Sequence, residues 1–502
     1  MHISRRQFLK RGSGALALAS LPLITGCPLA GLIRTVESRR SVDGILETDL
    51  CVCFARNRID ETWLRSRTYE GRIPGPTLRA KPGDTLRIHI QNALPNENDD
   101  DGHTHSHKGG HNHNIPGGFN ITNFHSHGLH VSPKGNADNP YRMFMPGDTN
   151  IVQIDIPGDH PAGTFWYHPH HHGAVTAQLM GGMAGALIVE GDIDDVPEIA
   201  EAREHILVIQ ELRINEDGET PLMDEHTFHD GHHADFAGSV LKRTINGQVN
   251  PTITMRPGEV QRWRFIQAGV EQITPIALDN HAFHHIAMDG ISFKKPDEVD
   301  SVVLAPGNRA DVLVKAGAPG TYYLRKHAYD QGAGEVDEDI LATVKVQGSP
   351  LDMPLPTGLP TPSSLQFIAD DEVETIRQVS FSVDAAGPGE MFPRFTINGQ
   401  LFDPDRIDEA IPLGAVEEWI ITSATTDEHP FHIHTHSFQV SEIENEPVRP
   451  KRWQDTVIVP GFGIVRVRIR FNDFVGKSVY HCHIVTHEDL GMMANFKVAG
   501  QS

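Results

Sequence analysis

Between Asp84 and Ile90 the chain reads DTLRIHI, with Leu86, Ile88 and Ile90 alternating with Thr85, Arg87 and His89. Apolar positions two apart share one face of an extended backbone, so the stretch predicts a half-buried β-strand. EVQRWRF, Glu259 to Phe265, alternates in the same way. Each strand follows a glycine turn, a short polar segment and a second turn built on Pro-Gly or Leu-Gly. The whole scheme occurs three times. It reads EGRIPGPTLRAKPGDTLRIHI (Glu70 to Ile90), TINGQVNPTITMRPGEVQRWRFI (Thr244 to Ile266) and TINGQLFDPDRIDEAIPLGAVEEWII (Thr396 to Ile421). Recurrence at roughly 150 to 175 residues indicates duplicated domains, not a solenoid. Acidic GDIDDVPEIAEA (Gly191 to Ala202) separates the first two units, and Pro-rich SPLDMPLPTGLPTPSS (Ser349 to Ser364) reads as a linker before the third. The pattern predicts an all-β chain of three consecutive β-sandwich domains at 45–192, 193–348 and 365–502. Residues 349–364 form the linker, and 1–44 form a leader and its connection.

Composition agrees and adds one puzzle. A chain of 502 residues exceeds a single ordinary core, and 46 Gly with 34 Pro suit a turn-rich β body. The formal net charge of −23 repels phosphate backbones, which argues against nucleic acid as a partner. The puzzle is the 31 histidines.

The first 27 residues read as a leader. Arg5 and Arg6 in SRRQFLK precede an apolar run, Ala15 to Ile24, that is too short to span a bilayer. The pattern resembles a twin-arginine export signal, and LITGC resembles a lipoprotein processing site with Cys27 as the lipid-bearing residue. Export to the periplasm or cell surface is expected, with a lipid anchor through Cys27 as one outcome and plain cleavage as the other. Only Cys51, Cys53 and Cys482 follow. LCVCFA reads as a strand that sets Cys51 and Cys53 side by side about 7 Å apart, a poor geometry for a disulfide. They are expected to be buried apolar thiols without a function.

Four stretches carry His-x-His: His125 and His127, His168 and His170, His432 and His434, His481 and His483. On a strand each pair aims two imidazoles at one volume. A single such pair is more often a solvated strand face. Two pairs in each terminal domain point instead to a metal cluster between those domains, since imidazole suits copper, zinc, iron and nickel. In HCHIVTHEDLGMM (His481 to Met493), the strand that turns His481 and His483 one way turns Cys482 the other. A thiolate with His429 and His487, and Met492 as a weak axial thioether, is the ligand set of a blue copper electron-transfer site. Cys482 would then link that site to the histidine cluster.

With these motifs the chain resembles the three-domain multicopper oxidases, laccase-like enzymes built from cupredoxin-like Greek-key β-sandwich domains. The resemblance spans nearly the whole mature chain and implies four copper ions. It assigns the type 1 copper to His429, Cys482, His487 and Met492, and the type 2 copper to His125 and His432. The type 3 pair falls to His127, His168, His170, His434, His481 and His483. It further implies one-electron oxidation of a small reducing substrate (a phenol, aromatic amine or metal ion) coupled to reduction of dioxygen to water, in a monomer. Glu488 and Asp138 match positions where the family carries proton-relay acids, Asp138 at a spacing two residues longer than many relatives. Asp455 and Asp427 are candidates for orienting a ligand histidine or meeting substrate. His130, His171, His172 and His436 adjoin the motifs without matching ligand positions.

Two histidine-rich runs remain, DGHTHSHKGGHNHN (Asp101 to Asn114) and EHTFHDGHH (Glu225 to His233). Each is open to two readings, a copper or zinc collector or a polar insertion. The main alternative function is a cuprous-ion or other metal oxidase in copper tolerance. Only 12 Met, with a small group at Met143, Met145, Met180 and Met183, weigh against it and leave phenols favoured. A non-catalytic scaffold on the same fold is least supported, because no motif ligand is missing.

Overall fold

The computed structural model describes residues 31–96, 113–223, 227–228, 234–387 and 390–500. The twin-arginine motif, Cys27, most of the 101–114 run and most of the 225–233 run lie outside the described residues.

The strand Thr85–Asn92 forms as its alternation predicts, with Leu86, Ile88 and Ile90 fully buried. It runs parallel to Ile45–Ile59 and antiparallel to Thr149–Asp155, and a second sheet carrying Gly163–His168 closes the first sandwich. In the middle unit Arg203–Ile214 lies parallel to Val260–Gln267, which pairs with Arg309–Lys315 and through it with Phe283–Met288. The last unit repeats that order with Thr375–Asp384, Val416–Ser423, Ile464–Arg470 and Phe438–Ile443. The repeated glycine turn is the same tight hairpin each time. It bridges Tyr69 to Arg72, Ile245 to Gln248 and Ile397 to Gln400. Both central residues have positive φ (Glu70 and Gly71, Asn246 and Gly247, Asn398 and Gly399), as a primed turn requires. The chain is therefore all-β, three cupredoxin-like Greek-key sandwiches in sequence, each with its own apolar core.

Three details depart from the expectation. Val260–Gln267 is buried at every position, not half-buried. Its polar side is covered from two directions: Arg262 and Arg264 pair with Asp311 and Asp194 of the middle unit itself, and Arg264 donates to Thr164 of the first unit. Residues 349–364 are not a loose tether, because Met353, Leu355 and Leu359 pack on a small apolar cluster of the middle unit. Cys51 and Cys53 are half-buried free thiols, since their side of Ile45–Ile59 is only partly covered. Partial burial and the neighbouring Cys53 push the Cys51 thiol up to about 11.

Candidate metal centre

Two strand pairs build the centre. In the first unit His125–His127 lies antiparallel to Gly163–His168, setting His125 opposite His168 and His127 opposite Trp166. In the last unit His429–Ile433 lies antiparallel to Gly476–Cys482, setting His432 opposite His481 and Phe431 opposite Cys482. Period-two geometry separates the faces. Phe431, Ile433, Tyr480 and Cys482 join the core of the last sandwich, and the intervening histidines turn toward the first unit.

There the two units interlock ring on ring. His125 stacks on His434 at 3.8 Å between centroids and His127 on His432 at 3.9 Å, nearly parallel in both cases. His168, His170, His481 and His483 complete a set of eight buried imidazoles. The Nε2 atoms of His170, His434 and His481 lie 3.1–3.2 Å from one another. Burial first, then the neighbouring histidines, lowers the pKa of all three well below the ordinary value, so the rings are neutral. Three neutral nitrogens at that spacing cannot all be satisfied by sharing protons among themselves, whereas one cation accepts three lone pairs.

The remaining rings fit the same test. His125, His168 and His432 each commit Nδ1, to Asp138, to the Pro169 carbonyl and to the Asp455 carbonyl respectively. Their Nε2 atoms are buried without a hydrogen-bond partner. His127 is reversed, with Nε2 3.2 Å from Asp455 Oδ1 and Nδ1 unpartnered. Unpartnered buried polar atoms are costly, so so many in one volume mark a ligand set. The eight histidines assigned from sequence to the type 2 and type 3 coppers thus share one volume.

On the reverse face of the last strand, Cys482 Sγ lies 3.5 Å from His429 Nδ1 and 3.8 Å from His487 Nδ1. All three are fully buried, and their donor atoms are close enough to hold one ion. Met492 is buried beside them, its carbonyl accepting from Cys482 N and its N–H donating to the His487 carbonyl. Burial pushes the Cys482 thiol far above its ordinary pKa, so only a bound cation would make the thiolate. Thr425 Oγ1 is 2.8 Å from His429 Nε2, and Phe395 stacks on His487 at 4.3 Å.

Both relay candidates border the eight-histidine volume. Each oxygen of Asp138 lies 3.0 Å from His125 Nδ1. The Glu488 carboxyl, fully buried, lies 3.4 Å from His170 Nε2 and 3.2 Å from His481 Nδ1. Neither approach has hydrogen-bonding alignment. Burial, and then the adjacent Asp489, raises the Glu488 pKa well above the carboxylate range. Asp455 touches His127 and His432, while Asp427 donates its N–H to Thr425 Oγ1, which in turn lies against His429.

His130 and His436 sit at a separate contact of the first and last units, and His172 is hydrogen-bonded to Asn114. Met143 and Met145 are exposed whereas Met180 and Met183 are buried, so the methionine group is divided between surface and core. Sequence reasoning missed Thr425, Asp489 and Arg309. Arg309 follows the Pro-Gly of APGNRA in the middle unit, and no spacing tied it to histidines far away in the chain.

Three family models, each described as multicopper oxidase, match residues 111–193, 166–349 and 372–502. The multicopper oxidase mco of Staphylococcus aureus is 27% identical over 442 residues, covering 86% of this chain and 83% of its own. A laccase of Bacillus stratosphericus is 26% identical over 476 residues, covering 85% and 89%. Among solved structures, a Campylobacter jejuni multicopper oxidase described as a metallo-oxidase superposes with a TM-score of 0.76 at 25% identity, covering 94% of this chain and 95% of its own.

Proposed function

Because the chain belongs to the multicopper oxidases, we propose that it couples one-electron oxidation of a phenol- or aromatic-amine-type reductant to four-electron reduction of dioxygen to water. His429, Cys482, His487 and Met492 would hold a type 1 copper, His125 and His432 a type 2 copper, and His127, His168, His170, His434, His481 and His483 a type 3 pair. Copper bound in these sets supplies one-electron redox chemistry at the first and dioxygen reduction at the second.

The chain's own residues do the rest. Cys482 belongs to one set and is peptide-bonded to His481 and His483 of the other, so the backbone is the covalent link between them. That single observation carries the reading. Glu488, a buried carboxyl whose pKa burial raises well above the carboxylate range, lies beside His170 and His481, which supports a role as proton donor there. Asp138 holds His125 through Nδ1 and leaves Nε2 for the metal. Buried Phe392 and Phe395 and partly buried Phe228 form an aromatic group that ends on His487, so an aromatic donor would meet it at Phe228. The paired arginines of the leader support export to the periplasm or cell surface, with Cys27 as the anchor where lipid is attached.

Copper quantification, the visible spectrum and oxygen uptake on substituted phenols test the proposal. Four coppers per chain, an intense thiolate-to-copper band and phenol-dependent oxygen uptake are expected. Metallated protein without that band, or with one copper per chain, overturns it. A metal-ion donor is the second reading, favoured by the likeness to the Campylobacter jejuni metallo-oxidase. Rates on Cu(I) and Fe(II) exceeding those on phenols, and falling when residues 101–114 are deleted, would select it.

A further inference from the structure

The middle unit contributes no histidine to the eight-imidazole volume, yet one of its loops reaches the ligands. The loop joins Ser301–Leu304 to Arg309–Lys315 and ends on Arg309, which is fully buried. The guanidinium forks onto Asp455 of the last unit, Nη1 donating to Oδ1 at 2.8 Å and Nη2 to Oδ2 at 2.5 Å. Nε donates to the Thr164 carbonyl of the first unit, so one side chain ties all three units together. Glycines clear its way. A Cβ on Gly128, the residue after His127, would fall 2.2 Å from Arg309 Nη2, and one on Gly307 would fall 3.0 Å from the rings of His127 and His483.

What Asp455 then does depends on its being an acceptor. Oδ1 lies 3.2 Å from His127 Nε2 and 3.5 Å from His432 Nδ1, and the Asp455 main-chain carbonyl, an acceptor whatever the side chain, lies 2.8 Å from His432 Nδ1. A carboxylate bound on both oxygens by a guanidinium can only accept, so His127 must carry its proton on Nε2. The lone pair is left on Nδ1, the atom that is buried without a partner. His432 is fixed in the opposite sense, with Nε2 bare. We propose that Arg309 is a positioning residue for the histidine set of the trinuclear site, acting through the Asp455 carboxylate to set which nitrogen His127 offers and to hold the carboxylate against the His432 ring. The middle unit would thereby form the third wall of the metal centre. The inference rests on the multicopper reading and adds to it a role for a domain that supplies no ligand.

Purified holoenzyme of wild type, Arg309→Met, Arg309→Lys and Asp455→Asn provides the test, with Arg262→Met as control. Arg262 is a buried middle-unit arginine paired with Asp311 and Asp194, away from the histidines. Copper per chain, the thiolate-to-copper band and the type 2 electron paramagnetic resonance signal are read alongside oxygen uptake. Arg309→Met should keep the band while copper falls toward one per chain, or while the type 2 hyperfine splitting shifts. Removing such outer partners costs about 10- to 100-fold in metal affinity or activity. Asp455→Asn, whose amide can donate, should disturb the type 2 signal as strongly. Arg309→Lys should fall between, because an ammonium cannot fork. Arg262→Met should leave band and signal unchanged. If Arg309→Met proves insoluble, Arg309→Lys and Asp455→Asn decide. Full copper with a wild-type type 2 signal in folded Arg309 and Asp455 variants overturns the proposal. A wild type without the thiolate band overturns instead the reading beneath it.

Discussion

At the scale of single residues, chemistry here is set by what each side chain is denied. Cys482 lies in an apolar core that holds its thiol protonated, so a metal must displace the proton. Cys482→Ser should abolish the intense visible band, lower copper content by one per chain and stop donor oxidation; ordinary colour in that variant would dissociate Cys482 from the proposed type 1 site. Glu488 is denied water and aligned hydrogen-bond partners, which raises its pKa above the carboxylate range. Glu488→Gln preserves the shape but carries no transferable proton. It should retain all copper and the visible band while oxygen uptake falls about 10²-fold, the lower end of what a positioned acid contributes. Stopped-flow reduction of the proposed type 1 site should stay at the wild-type rate, which separates proton supply from electron entry.

At the scale of elements, the His-x-His pairs were readable because a strand's period makes residue parity a statement about direction. His125 opposite His168 and His432 opposite His481 follow from that alone once the strands pair. Parity has no access to what lies beyond the sheet. Val260–Gln267 looked half-exposed because Arg262 and Arg264 alternate with Trp263 and Phe265, and its polar side is buried by acids of its own unit and by Thr164 of the first. The reversal of His127 was equally illegible, being imposed by Arg309 from another domain. Short helices show the same dependence. Val175–Met180 has no side-chain cap of its own, and Asp489, from the helix Val485–Asp489 that carries His487 and Glu488, accepts from the N–H groups of Gly173, Val175 and Thr176. Asp489→Ala would leave those buried donors unsatisfied, at a cost of about 1–3 kcal/mol. Denaturant unfolding of the copper-free protein should register that loss, whereas a change below a few tenths of a kcal/mol would show the two helices to be independent.

At the scale of the whole molecule, the ligand sets demand that the first and last units hold their mutual position, and a second contact away from the metal helps to do so. His130 of the first unit places Nδ1 2.6 Å from the Thr435 carbonyl and Nε2 2.5 Å from Asp473 Oδ2, both in the last unit. Two acceptors require two N–H groups, so the bound form is the imidazolium. Burial alone would lower its pKa, and the nearby His436 ring is itself held neutral, pushed down to about 3 by burial and then by His130. Asp473 and the Thr435 carbonyl reverse the balance and hold His130 above the ordinary histidine value of 6.5. Because the folded value exceeds the unfolded one, the contact stabilises fully below about pH 6.5 and is lost as pH rises through the folded value. Solvent exposure on the Asp473 side limits its worth to about 0.5–1 kcal/mol. His130→Gln and Asp473→Asn should therefore each lower the melting temperature of the holoenzyme near pH 6, with the difference from wild type closing by pH 9. A deficit that stays constant across that range would assign the contact to packing instead of charge.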